Sequence, residues 1–89
     1  MFHNVVIGKP LIEPWVLLAH DRQDWLETEE KDTLFTDTRF LPAIMKEAGV
    51  VSSTGEVRRN RPDLCVTLET PDFINLKWGK KRLFIVVGE

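Results

Sequence analysis

Arg58, Arg59 and Arg61 close the stretch Leu41 to Arg61, LPAIMKEAGVVSSTGEVRRNR, the most chemically loaded part of this 89-residue chain. Three guanidinium forks this close together suit phosphate oxygens better than lysines would. Ser52, Ser53 and Thr54 add hydroxyl donors just upstream, where a helix start with free amides would favour an anion. The plainer reading of the same residues is a solvated helix end, with cations set favourably against the C-terminal dipole. A second basic cluster, Lys80, Lys81 and Arg82, stands beside Trp78. A basic hairpin tip next to an aromatic can grip a nucleic-acid backbone and stack a base. Lysines at a hairpin also guard sheet edges, and Trp78 also reads as a core or edge residue.

Other chemistry finds less support. His3, His20 and Cys65 are the only soft metal ligands, and no two of them have ligand spacing, so no metal site is expected. Cys65 reads as a small buried hydrophobe. His20-Asp21 near Asp24 could do acid–base work, but no nucleophile lies beside them, and His20 reads as a surface residue. Gly8-Lys9 lacks the glycine spacing of a phosphate-binding loop. Glu27, Glu29, Glu30 and Asp32 read as a solvated acidic face. No enzyme, cofactor or metal is expected from these residues.

Local structure must position the two basic clusters. Leu41, Ile44, Met45 and Ala48 form one apolar helical stripe, which Gly49 ends and which Thr36, Asp37 or Thr38 could cap. Ser53 and Glu56 have capping-box spacing for a second helix that Pro62 terminates. Leu64, Val66 and Leu68 then alternate with Cys65 and Thr67, which predicts a half-buried strand. Phe73 to Trp78 and Leu83 to Val87 predict two more, joined tightly through Gly79-Lys80-Lys81. Upstream, Val5-Val6-Ile7 reads as a short buried strand. Pro14 favours a helix through Trp15 to Leu18. Asp21 to Asp32 reads as a surface loop, or one helical turn pinned by Trp25 and Leu26. The sum is a single α+β domain, a helix-turn-helix pair on a small, mainly antiparallel sheet. Residues 1–35 form an N-terminal extension of uncertain structure, and residues 36–89 the core.

Composition narrows the partners. The chain is 43% apolar, enough for a small core, and carries a net charge of −2. Residues 1–45 hold four basic and eight acidic side chains, and residues 46–89 eight basic and six acidic, so the front is acidic and the back mildly basic. No apolar run approaches the ~20 residues a membrane span needs. MFHNVVIGKP has no signal-peptide character, so a cytoplasmic location is expected.

Residues Phe40 to Leu68 resemble the ribosomal-protein S-four-like RNA-binding domain (the alpha-L motif), most closely the C-terminal domain of bacterial tyrosyl-tRNA synthetases. Ile44, Ala48, Gly49, Val50, Ser53, Glu56, Arg58, Arg59 and Val66 carry the likeness without a gap. Trp78-Gly-Lys-Lys-Arg-Leu-Phe-Ile-Val is similar to the family's closing Gly-Lys-Lys strand. The family's glycines after the arginine pair are absent here, where Leu64-Cys65 stands. The resemblance implies a non-catalytic module for structured RNA, tRNA or rRNA. Ser53, Arg58, Arg59, Arg61, Lys80, Lys81 and Arg82 would then be its contact residues. The alternative is a small protein–protein interaction module of bacterial or phage origin, working through its acidic front, Glu27 to Asp37 with Trp25.

Overall fold

A computed structural model describes residues 1–89. Four short helices and a four-stranded mixed sheet make an α+β domain. The strands are β1 (Asn4–Ile7), β2 (Thr33–Thr36), β3 (Asp72–Trp78) and β4 (Lys81–Val87), in the order β2-β1-β4-β3. The helices are α1 (Pro14–Leu18), α2 (Arg22–Glu27), α3 (Leu41–Glu47) and α4 (Thr54–Asn60).

The apolar run at residues 5–7 is explained by its place in the sheet. β1 lies between β2 and β4, parallel to both, and all four of its residues are buried. Such a strand has no solvent face, so Val5, Val6 and Ile7 are apolar without alternation. On one side of the sheet Val5, Ile7, Leu76, Leu83, Ile85 and Val87 pack with Leu41, Ile44, Met45, Ala48, Val50 and Val57 of the α3–α4 pair. The other side is covered in part by the crossover through α1 and α2. There Trp25 meets Phe35 edge-on, with ring centroids 6.4 Å apart.

The sheet therefore departs from the expected mainly antiparallel form: only β3 and β4 run antiparallel. Residues 1–35 supply two of its four strands and are integral to the domain, not an extension. Asp21 to Asp32 is more ordered than a loop. Asp21 caps α2 by accepting the Asp24 amide at 2.7 Å, and a 3-10 turn follows over Glu29–Asp32.

The strand expected over Leu64–Leu68 does not form. Pro62–Leu64 is a 3-10 turn, and a single bridge, Phe40 to Thr67, is all that follows. This segment bonds to the entry of α3 and not to the sheet: Leu41 N–H donates to Val66 O and Leu68 N–H to Arg39 O. That contact also explains why none of Thr36, Asp37 and Thr38 caps α3. Its N-cap is Phe40, without a side-chain bond. Pro42 has no amide to satisfy, and the Leu41 amide already has Val66. Thr36 accepts the Thr38 amide instead.

Candidate nucleic-acid interface

The turn between α3 and α4 is built as its sequence implies. Gly49 is left-handed, with φ +83°. Gly49 N–H donates to Lys46 O and Val50 N–H to Met45 O, which closes α3 in a Schellman motif. Ser53 Oγ accepts the Glu56 amide at 3.3 Å and so caps α4. The Glu56 carboxylate reaches back one residue further than expected and accepts from Ser52 N–H at 3.4 Å. The Ser53 hydroxyl and the Glu56 amide thus serve the turn itself. Glu56 places negative charge in the first turn of the same helix.

At its other end α4 meets the β3–β4 hairpin. Glu56, Asn60 and Arg61 from the helix and Lys77, Trp78 and Gly79 from the hairpin line one groove of about 350 Å³. Gly79, with φ +60° in the first central position of the turn Trp78–Lys81, fits a type II′ geometry. Trp78 packs one side of its ring on the core while lining this groove. Of the six cations in the two basic clusters named from the sequence, Arg61 alone lines this groove, joined by Lys77 of β3.

The cations differ in what they can offer. Arg61 makes a bidentate pair with Asp63, Nε to Oδ1 at 3.1 Å and Nη2 to Oδ2 at 3.0 Å. This pair raises Arg61 above its ordinary pKa and, through the guanidinium hydrogen bond, holds the Asp63 carboxyl below the usual carboxylate value. Lys81 is structural: its Nζ donates to Val50 O at 3.0 Å and ties the hairpin to the α3–α4 turn. Arg58, Arg59, Lys80 and Arg82 are exposed and form no ion pair, since Arg61–Asp63 is the only one in the molecule. The Arg59 guanidinium lies over Gly55 on its own helix.

Lys77 is the residue sequence reasoning missed. The alternation of β3 and the two-residue turn put Lys77 directly opposite Arg82, and that pairing was readable from the hairpin register. Like charges facing each other across a ladder are destabilising. Here no carboxylate separates them.

The acidic front is arranged differently from its sequence reading. Trp25 is buried and cannot be a working surface. Asp24 accepts from the His20 amide, so His20, Asp21 and Asp24 form a helix-start network. Glu29 and Asp32 line a cleft of about 330 Å³ with His3, Asn4 and Phe84. The buried Asn4 amide is satisfied there by Glu29 and Thr33. Cys65 is half-buried against the core.

Against family models, curated proteins and solved structures, the chain has no match. No helix is long and apolar enough to cross a membrane.

Proposed function

We propose that this chain is a non-catalytic RNA-binding module of the S-four-like type, acting in the cytoplasm on structured RNA such as tRNA or rRNA. The observation that carries the reading is the convergence of the end of α4 and the hairpin on one groove. Arg61, Lys77 and Trp78 stand in it, and Arg58, Arg59, Lys80 and Arg82 adjoin the same two elements without carboxylate partners. Arginine forks on the helix hold phosphates bidentately, and the lysines supply point charge. Recognition is then by shape and backbone, as duplex-containing RNA requires.

The test is a titration of total tRNA and of ribosomal RNA at several salt concentrations. Neutralising about five or six phosphates gives a slope of log affinity against log salt of roughly −3.5 to −5. Arg58→Ala/Arg59→Ala together should flatten the slope by about 1.4 to 1.8. Absence of binding at low salt, or a flat dependence, overturns the reading.

A second reading rests on a different surface. Leu11, Ile12 and Leu17 are exposed in the N-terminal third and line one cleft with Phe73. Clustered exposed apolar side chains rimmed by charge favour a protein partner. This is the interaction-module alternative, with its anchors moved from Trp25 to these residues. It gains if RNA binding fails while substitutions such as Leu11→Ser leave the fold intact and abolish capture of a defined protein.

A further inference from the structure

We infer that a second copy of this chain docks on the free edge of β3, pairing antiparallel about a two-fold axis through Asn75. The inference does not rest on RNA binding. In a two-residue hairpin the residues flanking the turn exchange both main-chain hydrogen bonds, here Trp78 and Lys81. Bonded pairs then recur at Leu76–Leu83 and Ile74–Ile85, so Phe73, Asn75 and Lys77 direct their main-chain groups away from β4. The far side of β4 agrees in parity: Phe84 N–H donates to His3 O and Gly88 N–H to Ile7 O. Phe73 N–H is met only by the neighbouring Asp72 carboxylate, at 2.7 Å. No turn or loop acceptor meets Asn75 N–H or Lys77 N–H.

This edge is self-complementary in one register. An axis through Asn75, normal to the sheet, sets Asn75 against its own copy and Phe73 against Lys77 of the second copy. All three outward-facing residues then bond, giving about six hydrogen bonds between chains. Ile74 falls opposite Leu76 of the second copy, both on the α3–α4 side of the sheet. On the other side the Lys77 ammonium, now crowded by Arg82, meets a phenyl face. Asp72, released from the Phe73 amide, stands opposite Trp78 of the second copy, beside the groove that Arg61 and Lys77 line. The exposed ring of Phe73, 37% accessible in the single chain, is covered.

Edge pairing of this length buries less than the ~1,200 Å² of a standard stable interface, so association in the micromolar to sub-millimolar range is expected. Sedimentation equilibrium from about 5 to about 500 μM should show the mass rising from 10.3 kDa toward twice that value. Asn75→Pro removes an outward donor and is tolerated at an edge, so its mass should stay at 10.3 kDa with unchanged far-UV circular dichroism. A wild-type mass that never rises, or a folded Asn75→Pro chain that associates like wild type, overturns the inference. A second measurement covers loss of fold in that variant. On a Cys65→Ser background, Asn75→Cys places two sulfur-bearing residues on the axis with Cα atoms ~5.5 Å apart, within disulfide reach. Mild oxidation should give a covalent dimer at least tenfold faster than for Glu47→Cys on the same background. Equal rates would also overturn it.

Discussion

Asp63 decides how much charge Arg61 has to offer. Both side chains are exposed, so the pair adds little to stability, and its effect is on what the groove attracts. Asp63→Asn should leave the denaturation midpoint unchanged and tighten RNA binding a few-fold at low salt, read by the same titration. The pH dependence has a defined sign. The Asp63 carboxyl is lowered in the folded chain, so whatever the pair contributes is complete above its ordinary value of 3.8 and fades as pH falls through the lowered one. Folding stability near neutral pH should therefore show no step from this pair. Ser53 is a different case, because its hydroxyl holds the first turn of α4. Ser53→Ala should cost about 1 kcal/mol by urea denaturation, and its effect on RNA should not exceed that loss of folded chain. The cap was legible from the Ser53–Glu56 spacing alone, since capping is a contact three residues long. The Arg61–Asp63 pair was equally local but carries no periodic signal to mark it.

The hairpin that aims the basic groove depends on Gly79. A Cβ there meets nothing within 4 Å, so Gly79→Ala should lose stability through backbone conformation alone. The expected cost is about 1 kcal/mol by denaturant titration, with Gly79→Asn recovering part of it. Elements set by contacts near in sequence were readable: the α3 stripe, its glycine stop, the α4 cap and the turn before Lys81. Leu64 to Leu68 was not. Its alternation is a strand pattern, yet Val66 is 44% exposed and the segment finds its hydrogen bonds at the mouth of α3. A period of two states what a segment could pair with, not whether a free edge lies within reach. For the same reason the two basic clusters were legible, while the groove that takes Arg61 from the first and Lys77 from neither required tertiary packing of the hairpin beside α4.

At the scale of the whole molecule, the core depends on two neighbouring strands drawn from opposite ends of the sequence: Val5 lies beside Ile85 and Ile7 beside Val87. Ile85 is fully buried at the centre of the sheet, and Ile85→Ala should cost 2–5 kcal/mol by thermal or urea unfolding. That is a large share of the stability open to a chain this short. No parallel pairing of this kind could be read from residues 1–35, because short apolar runs do not name their partners. The order β2-β1-β4-β3 also constrains time. β1 and β2 can pair early, but the sheet joins to the hairpin only through β4, whose residues are synthesised after those of the other three strands. Until Lys81–Val87 leave the ribosome, the buried strand Asn4–Ile7 has one side of its backbone open to other chains. The nascent chain thus has an exposed apolar edge for as long as the residues between β1 and β4 are being translated, a window in which a holding chaperone has something to bind.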